Sequence, residues 1–214
     1  MSKIDSAYLL SFFRLAADRL EARRQDLCSL DGEIGDGDHG TSMANGFAAI
    51  DARLREVPAD TATPALLLRE AASAFIGEVG ATVGPLYATA LLQGAALLEH
   101  GPLERDRLGD LLAQFAAGIG MRGQAQPGDK TMLDAWIPAS QAARNAAAQG
   151  ATAREVAEAA AAAARKGADT TASMIASRGR AARLKERSLG HPDPGAVSAA
   201  LIIGAFAEIE EDPA

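Results

Sequence analysis

Apolar residues recur at helical spacing in eight stretches of this chain, and no stretch shows an alternation long enough to build a β-sheet. In the first stretch, Ile4, Phe12 and Leu20 fall near the 3.6-residue period, with Arg and Asp on the opposite side. The stretches cover 4–27, 40–56, 63–79, 83–100, 104–120, 130–149, 152–178 and 195–210, with breaks at Val57-Pro58, Gly101-Pro102, Gly150 and Gly190–Pro194. Because short links favour antiparallel neighbours, the sequence predicts an all-α, up-and-down bundle or barrel of eight helices.

The composition supports the same class of fold. Alanine accounts for 50 of the 214 residues, whereas only nine residues are aromatic. Alanine is the strongest helix former, and its small side chain lets helices approach closely. A chain of this length is typical of one domain, and we expect residues 1–214 to form one.

Charge and hydropathy argue against several classes of function. The 21 Lys and Arg residues against 28 Asp and Glu residues give a net charge of −7, which disfavours binding to nucleic acid or to an anionic membrane. No run reaches the roughly 18 apolar residues of a membrane span. The N-terminal Met1–Asp5 ends in an acid where a secretory signal would be basic. The single cysteine, Cys28, forms no internal disulfide, so we expect a cytoplasmic protein.

The stretch DGEIGDGDHGTS at 31–42 is the most distinctive polar segment. It places Asp31, Glu33, Asp36 and Asp38 among four glycines within ten residues. Carboxylates repel one another unless a cation lies between them, and hard oxygen ligands suit Mg²⁺ or Ca²⁺. No register of the stretch supplies the Gly and Glu that an EF-hand loop requires at its sixth and twelfth positions. A solvated acidic turn is the alternative, but the density of carboxylates favours a metal site.

The next four residues, His39, Gly40, Thr41 and Ser42, lie at the start of the helix predicted over 40–56. Backbone N–H groups and hydroxyls at a helix N-terminus form an anion site. A metal site followed by an anion site is the arrangement that phosphoryl transfer requires.

Three further Gly-containing junctions lie between predicted helices. In 77–87 the backbone can approach a phosphate, although a simple turn between helices also explains this junction. The junction at 123–132 is explained as a helix N-terminus with Asp129 as its cap and Lys130 solvated. The second junction is not a P-loop, because Asp129 stands before Lys130 and an amphipathic helix precedes it instead of a strand. Arg and Lys are concentrated in 177–195, either as a solvated linker or as a site for phosphates or for an acidic partner.

Four stretches together resemble the L subunits of dihydroxyacetone kinases, the nucleotide-binding half of those enzymes. They occur in the family's order, and the resemblance extends from about residue 4 to about residue 210. The stretches are LDGEIGDGDHGTSMANGF at 30–47, VGPLYATALL at 83–92, GQAQPGDKTMLDAWIPA at 123–139 and GRAARLKERSLGHPDPGA at 179–196. Each signature alone is moderately specific, and their combination is highly specific.

The resemblance implies an eight-helix antiparallel barrel with a nucleotide site at one end. It also implies that Asp31, Asp36 and Asp38 bind two Mg²⁺ ions, which bridge the phosphates of ATP or ADP. The implied nucleotide contacts are His39, Gly40, Thr41, Ser42, the turn over 81–84 with Thr82 and Val83, Gly123, Thr131, Met132, Arg180, Asp193, Pro194 and Gly195. The family's usual turn has Ser where this chain has Val83, so we expect an altered phosphate contact there.

These features predict a phosphotransferase component that acts on dihydroxyacetone or another short ketose. The resemblance places that substrate on a separate K subunit, so we expect the chain alone to be inactive. The phosphoryl donor is either free ATP or a bound ADP that a phosphotransferase-system phosphoprotein rephosphorylates. Alternatives are a nucleotide-loaded coregulator of a transcription factor and the nucleotide domain of another kinase with the same barrel, such as a fatty-acid kinase. The sequence leaves open whether the chain forms a homodimer.

Overall fold

Helices make up most of residues 3–80 and 82–209, the part of the chain that this computed structural model describes. The α-helices there are α1 (Ser6–Ala22), α2 (Arg24–Ile34), α3 (His39–Arg55), α4 (Pro64–Glu78), α5 (Val83–Leu97), α6 (Leu108–Gly123), α7 (Leu133–Ala148), α8 (Ala153–Thr170) and α9 (Pro194–Ala205). Two short strands, β1 (Lys3–Ile4) and β2 (Leu103–Glu104), pair antiparallel. The predicted all-α class is confirmed.

Within the described residues, eight of these helices close into a ring. From α3 to α9 each helix packs on the next, and α1 packs on both α9 and α3. The remaining helix, α2, packs beside the ring against α3 and α9. The stretch 4–27, predicted as one helix, contains α1 and the start of α2 because the backbone of Arg23 leaves helical geometry at φ −112° and ψ 13°. The barrel therefore has the predicted eight members and one added helix.

Alanine, leucine and isoleucine side chains fill the interior together with a small set of aromatic side chains. All nine aromatic residues are buried, and their rings form one connected series of contacts. The series runs through Tyr8, Phe206, Phe12, Phe13, Phe47, Phe75, Tyr87, Trp136 and Phe115. Helix α9 is apolar on every side and almost completely buried, as expected for a helix enclosed by its neighbours. No helix in 3–80 or 82–209 combines the length and apolar character needed to cross a membrane.

The up-and-down order determines where the links between helices lie. When successive helices alternate in direction, every second link lies at the same end of the bundle. The links that precede α3, α5, α7 and α9 therefore share one end, and they include the polar stretches that the sequence singled out. Each of these links leads into a helix N-terminus, where unpaired N–H groups and the positive end of the helix dipole lie. This end of the bundle is thus suited to bind an anion.

Candidate functional site

A cleft of about 760 Å³ opens where these four links meet. Its volume lies in the range of small-molecule sites, about 300–1,000 Å³. Thirteen of the sixteen site residues predicted from the sequence line it. They are Asp31, Asp38, His39, Ser42, Thr82, Val83, Gly123, Thr131, Met132, Arg180, Asp193, Pro194 and Gly195.

The other three predicted residues lie close to the cleft without lining it. Asp36 belongs to the carboxylate cluster described below. Gly40 packs against α2, where a Cβ would collide with the Arg24 carbonyl. Thr41 is exposed, with its hydroxyl 3.5 Å from the Cys28 sulfur. Of the turn predicted over 81–84, residue 81 lies outside the described residues.

Asp31 joins the end of α2 to the beginning of α3. Its carboxylate is largely buried, and Oδ2 accepts hydrogen bonds from the N–H groups of Asp38 at 3.0 Å and His39 at 3.2 Å. The stretch predicted as an acidic loop is therefore partly helical, since Asp31 lies in the last turn of α2 and His39 begins α3. This arrangement places the carboxylate directly at a helix N-terminus.

Asp31, Asp36 and Asp38 form one carboxylate cluster. One oxygen atom from each lies within 4.8 Å of the other two. Burial and the neighbouring charge of Asp36 raise the pKa of Asp38, which shows that the cluster disfavours full ionisation. The Arg180 guanidinium pairs with Asp36 and lies 3.6 Å from an oxygen of Asp38. The cluster therefore attracts positive charge, and oxygen donors of this type suit Mg²⁺.

His39 is buried beneath the cleft. Its Nε2 lies 2.9 Å from the hydroxyl of Ser198 in α9. Burial lowers the pKa of the imidazole, so the ring is neutral at neutral pH. His39 therefore supplies orientation and hydrogen bonding to the site, without a positive charge.

The rest of the cleft combines basic and apolar side chains. The basic side chains are Arg122, Lys130, Arg178, Arg180 and Arg183, and the apolar ones include Ile34, Val79, Val83, Leu86, Ile119 and Met132. Guanidinium groups bind phosphate oxygens, and apolar side chains accommodate a planar ring system. Together with the carboxylate cluster, these side chains provide separate sites for a cation, for phosphates and for a planar ring system.

Two residues at the beginning of α7 were not predicted from the sequence: Asp134 in its first turn and Lys130 in the link before it. Asp134 is buried, and its carboxylate accepts hydrogen bonds from the N–H groups of Gly128 at 2.6 Å and Thr131 at 2.8 Å. The pattern Thr131-Met-Leu-Asp134 is a capping-box signature that could have identified this role. Lys130 is only 2% exposed, so the alternative in which it is solvated is wrong.

Asp193 caps the N-terminus of α9 from within the cleft. Its carboxylate accepts a hydrogen bond from the Ala196 N–H at 2.8 Å, and its own N–H donates to the buried Thr171 hydroxyl at 2.8 Å. Desolvation raises the pKa of this carboxyl to about 7. The cleft thus contains a carboxyl group that titrates near neutral pH.

Comparison with known proteins agrees with this geometry. The model of the DAK2 domain family matches residues 33–208. The ADP-binding subunit DhaL of PEP-dependent dihydroxyacetone kinase 2 from Listeria innocua is 34% identical over 206 residues, which cover 96% of this chain and 95% of that subunit. The DhaL subunit from Escherichia coli K12 is 35% identical over 191 residues, covering 89% and 90%.

Longer proteins contain a similar region. The L-erythrulose kinase of Pectobacterium atrosepticum is 34% identical over 97% of this chain, which spans 35% of that enzyme. The crystal structure of the dihydroxyacetone kinase from C. freundii in complex with AMP-PNP and Mg²⁺ matches with a TM-score of 0.71 and 27% identity, over 97% of this chain and 35% of that one. The resemblance drawn from the motifs is therefore confirmed, and the chain belongs to the DAK2 domain family.

Proposed function

We propose that this chain is the nucleotide- and Mg²⁺-binding component of a kinase that phosphorylates dihydroxyacetone or a related short ketose. The observation that carries the proposal is that a cluster of three carboxylates, two of which line the cleft, meets four helix N-termini at this end of the bundle. Relatives that match over nearly their full length are named ADP-binding subunits. A solved relative with the same fold was crystallised with AMP-PNP and Mg²⁺.

In this proposal Asp31, Asp36 and Asp38 hold two Mg²⁺ ions. The crowding of the carboxylates and their all-oxygen donor set fit this metal. The three carboxylates would hold the metal, and oxygen atoms of phosphate and water would supply its other ligands. When bound, the metal supplies charge neutralisation at the nucleotide phosphates.

The remaining contacts of the nucleotide follow from the chemistry of the lining. Ser42 and Thr82 offer hydroxyls at the starts of α3 and α5, and Gly195 leaves the backbone of α9 accessible. Arg180 supplies positive charge to the phosphates. The apolar side chains of the cleft contact the base. Neutral His39 fixes the beginning of α3 against α9 through Ser198.

Rate enhancement would come from positioning and electrostatics, because phosphoryl transfer needs little covalent chemistry from the protein. The acceptor hydroxyl is supplied by a ketose bound to a K-type subunit. We further propose that ADP stays bound and is rephosphorylated by a phosphoprotein, as the names of PEP-dependent and PTS-dependent relatives suggest. A cytoplasmic location fits this role and stays a prediction.

Calorimetric titration with ADP tests the nucleotide site directly. We expect binding that requires Mg²⁺ and is strongly weakened in Asp36→Ala. Asp26→Ala is the matched control, because Asp26 lies in α2 but pairs with Arg23 outside the cleft. Unchanged ADP binding by Asp36→Ala in Mg²⁺ would refute the metal assignment, and absence of binding by the wild type would refute the nucleotide site.

Kinase assays test the partner and the donor. With a K-type subunit, we expect turnover of a short ketose, and turnover by this chain alone would contradict the need for a partner. Gel filtration of protein purified with its nucleotide separates the two donor schemes. Loss of ADP on the column would contradict the scheme with a permanently bound nucleotide.

A further inference from the structure

Lys130 is buried and has an unusual backbone conformation, and the proposed phosphoryl transfer gives it no role. It is the only Lys or Arg that is buried among residues 3–80 and 82–209. Its backbone adopts φ +60°, a left-handed conformation that side chains other than Gly rarely take. Burial lowers the pKa of its ammonium, although the nearby charge of Asp193 opposes this effect. A buried cation with an unusual backbone persists only where the surrounding structure compensates for both.

The ammonium of Lys130 holds the two ends of residues 174–188 together. This stretch is here called the basic segment. Its Nζ donates hydrogen bonds to the carbonyl of Met174 at 3.1 Å and to the carbonyl of Ser188. These two residues are the ends of the basic segment. The Ser188 hydroxyl also accepts a hydrogen bond from the Ala176 N–H at 3.0 Å. One buried cation thus joins both ends of the segment to the link before α7.

The adjacent Asp129 adds a second attachment. Its carbonyl accepts a hydrogen bond from the Ser177 N–H at 3.2 Å, and its carboxylate accepts one from the Ser177 hydroxyl at 2.6 Å. The same carboxylate lies 3.4 Å from Nε of Arg178. Asp129 and Lys130 therefore hold the part of the basic segment that immediately precedes Arg180.

Arg180 itself has little support from its neighbours. Its side chain is half exposed, and the ion pairs that it forms within the described residues are with Asp36 and Asp38 of the carboxylate cluster. Gly179 before it adopts φ +66°. The position of the guanidinium in the cleft consequently depends on how the basic segment is attached.

We propose that Lys130 is a positioning residue, which acts through Arg180 by clamping the basic segment so that this guanidinium faces the nucleotide phosphates. The inference rests on the proposed nucleotide site. It differs from a direct role, in which Lys130 would contact the phosphates itself, and from a purely structural role in stability.

A double-mutant cycle separates these roles. Lys130→Met keeps the aliphatic stem and removes the ammonium, and Arg180→Gln removes the guanidinium. We expect Lys130→Met to weaken Mg²⁺-dependent ADP binding on the order of tenfold in the wild-type background and less than about twofold in the Arg180→Gln background. Equal losses in the two backgrounds would overturn the proposal, because a direct contact or a global loss of stability would give additive effects.

Limited trypsin digestion of the nucleotide-free protein gives a readout that does not depend on binding. We expect Lys130→Met to accelerate cleavage within the basic segment at least severalfold, since the segment contains Arg178, Arg180, Arg183, Lys185 and Arg187. Ile203→Val is the control, because Ile203 is fully buried in α9 and its truncation lowers stability without touching the segment. Equal acceleration in a control of matched stability would overturn the proposal.

A second variant tests the same attachment independently, in case Lys130→Met does not fold. Asp129→Ala removes the carboxylate that holds Ser177 and Arg178 but leaves the buried cation in place. We expect it to show the same coupling to Arg180→Gln, and additivity here also overturns the proposal. If the wild type bound no ADP, the proposed function would fail, whereas the digestion experiment would still decide whether Lys130 holds the segment.

Discussion

Replacing Asp193 by asparagine is expected to change how the stability of this protein depends on pH. Desolvation raises the pKa of the Asp193 carboxyl to about 7 in the folded protein, from the ordinary value of 3.8 expected in the unfolded chain. Between these two values the folded protein keeps a proton that the unfolded chain has released. The free energy of unfolding therefore falls as the pH rises through this window and is constant above it.

The size of the effect follows from the width of the window. Each pH unit within it changes the free energy of unfolding by about 1.4 kcal/mol. Raising the pH from 5 to 8 crosses about two of these units before the carboxyl of the folded protein ionises, so this group lowers the wild-type stability by about 3 kcal/mol. The amide introduced by Asp193→Asn still offers an oxygen to the Ala196 N–H, and Asn and Asp cap helices equally well. The variant should therefore be more stable than the wild type already at pH 5, and its advantage should grow by about 3 kcal/mol between pH 5 and pH 8.

Urea unfolding followed by circular dichroism at pH 5, 6.5 and 8 measures this difference, in the absence of Mg²⁺ and nucleotide. Asp5→Asn is the matched control, because Asp5 caps α1 by accepting a hydrogen bond from the Tyr8 N–H at 2.9 Å and lies outside the cleft. If Asp193→Asn and the wild type showed the same pH dependence of stability, the carboxyl would not be desolvated as the structure indicates.

Three further outcomes are expected. Gly40→Ala should lower the free energy of unfolding by about 2 kcal/mol or more, because its Cβ would collide with the Arg24 carbonyl, and an unchanged melting temperature would contradict this packing. Asp134→Ala should cost about 3 kcal/mol, since the N–H groups of Gly128 and Thr131 lose the buried carboxylate that accepts from both, as chemical denaturation would measure. Arg180→Gln should tighten Mn²⁺ binding to the nucleotide-free protein, because the guanidinium no longer competes for the carboxylate cluster, while it weakens ADP binding. Calorimetry measures both, and equal or weaker Mn²⁺ binding would show that no such competition exists.

The helical periodicity predicts the architecture well, because each ring helix except α9 buries one face and leaves the other to solvent. The helical periodicity does not predict two of the helix boundaries. Neither Gly nor Pro marks the break at Arg23, whose side chain is exposed and pairs with Asp26. The stretch 152–178 reads as one helix, yet α8 ends at Thr170, where the chain turns into a 3₁₀ segment. Local propensity continues the helix there, whereas the backbone becomes extended at Met174, with φ −99° and ψ 151°.

The candidate site likewise has one part that can be predicted from the sequence and one part that cannot. The carboxylate cluster is predictable because its three members lie within eight residues of one another, in a pattern that favours a metal. The burial of Lys130 is not, because its partners Met174 and Ser188 lie 44 and 58 residues away along the chain. A lysine between an aspartate and a threonine is typical of an exposed turn. Only the folded basic segment converts it into a buried residue.

The series of aromatic contacts ends close to the cleft, and this has a practical consequence. Trp136, the single tryptophan, lies one helical turn after Met132, which lines the cleft, and its backbone N–H donates to the Met132 carbonyl at 3.1 Å. Its ring contacts Tyr87 in α5 and Phe115 in α6, which are close in sequence to the lining residues Leu86 and Ile119. Intrinsic fluorescence therefore comes from one known position beneath the site, with a tyrosine beside it as an energy donor. Ligand binding can be followed optically in the unlabelled protein, and every change in tryptophan emission has a single structural origin.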